Sequence, residues 1–218
     1  MSVWAVLAAA GRGERLGDDR PKAFARLGDL PLVAEPLRRL DDSDWIDGIV
    51  VAAPPDWEEP CIVLAEQLGA GKVSTVVTGG ATRAASVRTA LAEVPEDAAV
   101  VLVHDAARPL VSDDVIGRVL APLSEGYDGA VPVIQVSDTV KRVRAHEVVE
   151  TVEREGLVLA QTPQAFLADA LRRAAAGEGT DCAALVEAQG GRIKAVQGDP
   201  QLLKVTSRED LELVASWL

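Results

Sequence analysis

The chain has 218 residues, enough for one domain or one domain with a small extension, and 48% of them are hydrophobic. Its formal net charge of −12 excludes non-specific DNA or RNA binding, which needs many exposed cations to displace counterions, yet permits a small anionic ligand at a local cluster of cations. Two cysteines, Cys61 and Cys182, and two histidines, His104 and His146, supply neither a disulfide framework nor a zinc site.

In chain order, Val3-Trp-Ala-Val-Leu reads as a buried first strand. No Lys or Arg precedes the apolar run ending at Ala10, which is also short for a signal peptide. No stretch approaches the ~20 apolar residues of a membrane span, so a cytoplasmic protein without a membrane partner is expected. Continuously apolar strands follow at Gly48-Ile-Val-Val-Ala, Val73-Ser-Thr-Val-Val and Ala99-Val-Val-Leu-Val, the pattern of a parallel sheet covered on both faces. Helices are predicted between them at 31–40, 57–69, 82–93 and 112–124, with Pro36 in an opening turn or at a kink. These repeated β-then-α units predict an α/β fold: a Rossmann-like, doubly wound, mostly parallel sheet.

Gly129-Ala-Val-Pro-Val-Ile is a further strand. Thr139 to Val143 and Val148 to Val152 then alternate around a polar turn at Ala145-His146, which predicts a projecting β-hairpin arm at about 137–157. So thin a hairpin is marginal alone; it packs either on a second subunit or on its own domain. Helices are predicted at 165–176 and 181–189, and short strands at 192–196 and 202–205. Thr206-x-x-Glu209 reads as the capping box of a last helix. With no repeat or linker, residues 1–218 form one domain with an inserted arm.

Chemistry concentrates in the first loop, AAAGRGERLGDDRPK, residues 8–22. In such folds the loop after the first strand lies at the ligand-binding edge of the sheet. Gly11 and Gly13 let backbone N–H groups approach an anion. A Walker loop is excluded because no Lys-Ser/Thr follows the second glycine. A dinucleotide fingerprint is excluded because Leu16 holds the third glycine position and no acid ends the second strand. Arg15 and Lys22 are placed to stabilise charge on a phosphoryl centre. Taken alone, Arg15 and Lys22 are better read as two solvated surface cations among Glu14, Asp18 and Asp19.

Six blocks in order resolve that choice: AAGRGERLGDDRPKAF, GGATRAASV (79–87), LVHDAARPL (102–110), SDTVKRV (137–143), AQTPQAF (160–166) and LKVTSRED (203–210). Together they resemble the 2-C-methyl-D-erythritol 4-phosphate cytidylyltransferase family over nearly the whole chain. The resemblance implies an enzyme of the non-mevalonate route to isoprenoids that joins CTP to methylerythritol phosphate with Mg²⁺ and releases pyrophosphate. It implies a nucleotide cradle of Ala9, Ala10, Gly11 and Gly13, with Arg15 and Lys22 at the transition state. Gly80, Ala81, Arg83 and Ser86 would lie near the cytosine, and Asp105 would hold Mg²⁺ or sugar hydroxyls. Arg108, Lys204, Thr162 and Thr180 would position the polyol phosphate. Thr139 and Arg154 would do so from the arm of a partner in a homodimer. Ala8, Ala81, Ala85 and Cys182 depart from residues common in the family, and Cys182 reads as a small buried filler. A ribitol 5-phosphate cytidylyltransferase is the nearest alternative; an NAD-binding oxidoreductase and a non-catalytic nucleotide-binding regulator are more distant.

Overall fold

The structure, a computed structural model, describes residues 1–11, 13, 20–177, 179 and 181–218. Strand β1 (Val3–Ala8) leads through the first loop to a 3₁₀ turn at Lys22–Phe24. A minimal hairpin of β2 (Arg26–Leu27) and β3 (Leu30–Pro31) then precedes helix α1 (Ala34–Asp42). The α/β units continue as β4 (Gly48–Ala53), α2 (Glu58–Leu68), β5 (Val73–Thr78), α3 (Arg83–Leu91), β6 (Val100–Asp105) and α4 (Asp113–Leu120), which ends in a 3₁₀ turn. After these come β7 (Gly129–Gln135), the arm strands β8 (Val140–Arg144) and β9 (Glu147–Val152), β10 (Val158–Ala160) and β11 (Gln164–Leu167). Helices α5 (Ala168–Ala174) and α6 (Cys182–Ala188), strand β12 (Ile193–Gln197) and helix α7 (Arg208–Ala215) complete the order.

The sheet runs β10-β7-β11-β6-β1-β4-β5, with β12 also paired to β7. β1 is parallel to both β4 and β6. Alternation explains why β1 and β4 carry no polar side chain, and why β6 carries none before His104 and Asp105 at its carboxyl end. Val3, Ala5 and Leu7 face the layer that contains α1, α2 and α4, whereas Val6 faces the layer that contains α3, α5 and α6. The same alternation sends Ile49 and Val51 to one layer and Val50 and Ala52 to the other. Because the chain leaves β1 for β4 and β5 and then returns to β6 on the other side, the strand order reverses at β1. Open α/β sheets bind ligands beyond the carboxyl ends of the strands at such a switch point.

Several expectations need correction. The helix predicted from 165 begins as strand β11, antiparallel to both β6 and β7, and turns helical only at Ala168. Ala165 and Phe166 are buried, and a short apolar run fits a buried strand or a buried helix. β10 was not anticipated. The first helix starts at Ala34, so Pro36 falls within its first turn, where its missing N–H is no loss. Residues 202–205 form no strand; Leu202 and Val205 are buried anchors of an irregular loop. The last helix is capped one residue later than expected: Ser207 Oγ accepts the Asp210 N–H at 3.2 Å and Asp210 Oδ2 accepts the Ser207 N–H at 2.9 Å.

The arm is borne out as a separate two-stranded sheet joined by Ala145 and His146. Both have positive φ, at 47° and 71°, which matches a mirror-image turn to the strand twist. The arm does not fold onto the domain: Val143, Val148 and Val149 are 57%, 62% and 51% exposed. Among the described residues, no helix is long and apolar enough to cross a membrane.

Candidate active site

The carboxyl ends of β1, β4, β5 and β6 are laced together by backbone bonds. Ala9 N–H donates to Ala52 O, Gly79 N–H to Ala53 O and Ala106 N–H to Ala8 O, at 2.9, 2.8 and 3.0 Å. Above them opens a cavity of about 720 Å³. Ala9, Ala10, Gly11, Lys22, Gly80, Ala81, Arg83, Ser86, Asp105 and Lys204 of the expected site line it. Gly13 packs directly beside it: a Cβ there would lie 2.4 Å from Lys22 Cβ. Arg15 and Thr180 lie outside the described residues.

Lys22 is delivered by short-range structure. Pro21 opens the 3₁₀ turn, Phe24 N–H donates back to Pro21 O at 2.8 Å, and Val33 N–H donates to Ala23 O at 2.9 Å. Phe24 is buried and packs on Trp57, with ring centroids 4.5 Å apart. The turn is therefore fixed to the core immediately beside its cation.

On the opposite wall Asp105 joins segments far apart in sequence. Its Oδ1 accepts from Arg83 Nε and its Oδ2 from Lys204 Nζ, both at 2.7 Å. Burial acts to raise the Asp105 pKa, but Arg83 and Lys204 overcome it and hold the carboxyl well below its ordinary value. Arg83 stands at the start of α3, whose N-cap Thr82 accepts the Ala85 N–H at 3.1 Å. Its Nη1 also reaches Cys182 Sγ at 3.3 Å. Cys182 is buried, as expected of a small filler, and burial raises its pKa, which favours the thiol over the thiolate. Ser86 Oγ accepts the Gly80 N–H at 3.1 Å, which shapes the loop that carries Ala81.

The loop bearing Lys204 is tied down by Val205 N–H to Ala107 O at 2.8 Å and by Arg108 Nη1 to Leu202 O at 2.5 Å. Arg108 thus spends its guanidinium on backbone carbonyls and does not line the cavity. Thr162 is buried behind Asp105, and its Oγ1 accepts the Asp105 N–H at 3.0 Å. Thr139 and Arg154 sit on the exposed arm, where Arg154 donates to the Ser137 carbonyl. Neither joins the cavity within one chain. One further lining cation and an aromatic complete the picture. Arg20 was not singled out from the sequence, although it stands two residues before Lys22 in the same block; nor was Trp57.

Among the described residues, Asp105 is the one carboxylate lining the cavity, against the cations Arg20, Lys22, Arg83 and Lys204. No cluster of three or more His, Cys, Asp or Glu side chains is placed to hold a metal ion, again among the described residues. With both its oxygens already paired, Asp105 does not fit as the anchor of a protein-held Mg²⁺. A concave, cation-lined, glycine-walled site at a strand switch point is built for a polyanion and for charge that develops on phosphoryl oxygens.

Comparison with known proteins agrees with this fold and places the chain in a family. The family model for 2-C-methyl-D-erythritol 4-phosphate cytidylyltransferase matches residues 3–218. A relative of that name from Saccharopolyspora erythraea is 45% identical, with 100% of both chains covered. One from Nocardia farcinica is 44% identical over 100% of this chain and 94% of its own. A solved 4-diphosphocytidyl-2C-methyl-D-erythritol synthase superposes with a TM-score of 0.85 at 30% identity, covering 99% of this chain and 97% of the other. The enzyme from Thermus thermophilus does so at 0.80 and 34%, covering 97% and 96%. The chain belongs to the 2-C-methyl-D-erythritol 4-phosphate cytidylyltransferase family.

Proposed function

We propose that this chain joins CTP to 2-C-methyl-D-erythritol 4-phosphate, giving 4-diphosphocytidyl-2-C-methyl-D-erythritol and pyrophosphate. One observation carries the reading. Lys22, Arg83 and Lys204 come from three distant segments and converge on one cavity at the switch point of the sheet. An oxygen of the polyol phosphate attacks the α-phosphorus of CTP. A new P–O bond forms as the bond from the α-phosphorus to the bridging oxygen breaks, and pyrophosphate leaves with that oxygen. The attacking phosphate is already ionised, so no strong base is required; positioning and charge stabilisation carry the step.

Lys22, together with Arg15 of the same sequence block, stabilises the crowded α-phosphoryl centre. The backbone of Ala9, Ala10, Gly11 and Gly13 cradles the triphosphate, and the loop of Gly80, Ala81 and Ser86 takes the cytosine. Lys204 changes partner from Asp105 to the incoming polyol phosphate. CTP would enter as its Mg²⁺ complex on this reading, and the ion would supply charge screening without a protein anchor. The arm, with its exposed valines, packs on a second copy of the chain in a homodimer, and Thr139 and Arg154 serve the partner's cavity. Two free, buried cysteines fit a reducing cytoplasm.

The test offers CTP and Mg²⁺ with methylerythritol phosphate or ribitol 5-phosphate and measures pyrophosphate. Release with the first and not the second is expected. Release with ribitol 5-phosphate alone, or with neither, refutes the reading.

A further inference from the structure

Asp105 holds two of the cavity's cations, and its own backbone is held from behind by a chain of buried polar atoms. Thr162 Oγ1 accepts the Asp105 N–H at 3.0 Å and lies 3.2 Å from His104 Nδ1. His104 Nε2 in turn lies 2.9 Å from Arg108 O. The roles in this chain are forced. A carbonyl only accepts, so Nε2 carries the proton. A neutral imidazole then has a bare Nδ1, and the Thr162 hydroxyl, already an acceptor from Asp105, donates to it. The ring is 0% exposed, and burial lowers its pKa to about 4, so it stays neutral. Both ring nitrogens are thereby satisfied.

We propose that His104 is a positioning residue for nucleotidyl transfer. Fixed as the Nε2–H tautomer, it aims the Thr162 hydroxyl at the Asp105 N–H and pins the Arg108 carbonyl. It thereby sets both ends of the 105–108 turn that presents the Asp105 carboxylate to Arg83 and Lys204. The remaining backbone of that turn is committed as well. Arg108 N–H donates to Asp105 O at 2.9 Å, Ala106 N–H to Ala8 O at 3.0 Å, and Ala107 O accepts Val205 N–H at 2.8 Å. A shift of the imidazole is thus passed to the cradle loop and to the Lys204 loop together. Thr162 acts through Asp105 and has no need to touch substrate.

This inference rests on the nucleotidyl-transfer reading, and the experiment separates the two. His104→Gln keeps a donor near the Nε2 position and removes the Nδ1 acceptor, whereas Thr162→Val removes the hydroxyl. Each is expected to lower kcat about tenfold with KM for CTP within about twofold, the signature of a misaimed site and not of lost binding. The double variant is expected to be no worse than either single one, because both break the same chain. Thr162→Ser recovers most of the loss.

Long-range ¹H–¹⁵N spectra of the full chain at neutral pH supply a readout that needs no His104 variant. His104 and His146 are the only histidines, so His146→Gln leaves His104 alone in the spectrum. A protonated Nε2 and a bare Nδ1 are expected. A protonated Nδ1, a mixture of tautomers, additive losses, or folded variants with parent-like kcat overturn the inference, as does a loss confined to melting temperature. A parent chain that releases no pyrophosphate instead defeats the nucleotidyl-transfer reading, and the spectra still decide the tautomer.

Discussion

Gly13→Ala tests whether the first loop works by lying directly on Lys22. Gly13 has a φ of +69°, and a methyl group there would fall 2.4 Å from Lys22 Cβ and 3.0 Å from Lys22 Cα. The left-handed conformation alone costs an alanine roughly 1–2 kcal/mol, and overpacking against a neighbour held near its backbone adds about 1–3 kcal/mol. Relief requires the 3₁₀ turn to move, and that turn is bonded to Val33 and wedged by Phe24 against Trp57. The strain therefore reaches the ammonium group. A misplacement of about 1 Å in a catalytic group lowers the rate by about 10²-fold. Gly11→Ala is the control. Among the described residues nothing lies within 4 Å of its added Cβ, and Gly11 lines the cavity. Pyrophosphate release and thermal melting of both variants distinguish the cases. Gly13→Ala is expected to lose kcat, and Gly11→Ala to melt like the parent while its KM for CTP rises. A Gly13→Ala chain with kcat within about threefold of the parent and an unchanged melting temperature would refute the reasoning.

Four other outcomes are expected. Lys22→Ala should lower kcat far more than it weakens CTP binding, and unchanged turnover would remove Lys22 from the mechanism. In Gly198→Ala the new Cβ would lie 2.3 Å from Gln161 Oε1, the acceptor of the Asp199 N–H. Losing that buried bond costs about 1–3 kcal/mol and loosens the Lys204 loop, so melting should fall and KM for the polyol phosphate should rise more than KM for CTP. The pKa of His104, about 4 against 6.5 when unfolded, makes the folded chain refuse a proton that the unfolded chain accepts between those values. Stability should therefore fall as pH drops through that window, by about 2 kcal/mol at pH 5, and His104→Asn should flatten this part of the melting curve. The lowered pKa of Asp105 acts only at more acidic pH. Finally, mixing Arg15→Ala and Arg154→Ala subunits should rescue activity if the arm completes a partner's site; no rescue after confirmed subunit exchange would refute that arrangement.

The parts of the fold that could be read in advance follow from their environment. β1, β4 and β6 are buried on both faces, so their apolar runs have no polar alternation to confuse them. Two of the errors share one cause: an apolar pattern reports burial and not pairing. Leu202 and Val205 anchor a loop, and Ala165 and Phe166 belong to a strand although helix follows at once. At the site, the first loop carried its own signal, but the meeting of Arg83 and Lys204 at Asp105 spans up to 99 residues and came only from the ordered blocks. Arg108 shows where block matching stops. Its position was legible, but the direction of a long side chain toward Leu202 O is set by packing that no local pattern encodes. Trp57 gave no local sign that the start of α2 would lean over the cavity. Cys182 was legible as a filler because a small, weakly polar side chain suits a buried helix start.

The carboxylate between Arg83 and Lys204 also bears on how a reaction cycle ends. An anion already tethered inside the cavity competes with every free anion that enters. Once pyrophosphate has departed, the Lys204 ammonium has a ready resting place and need not cling to inorganic phosphate or to spent product. If the proposed reaction holds, this tether predicts weak inhibition by phosphate-bearing products, at the expense of some grip on the incoming substrates.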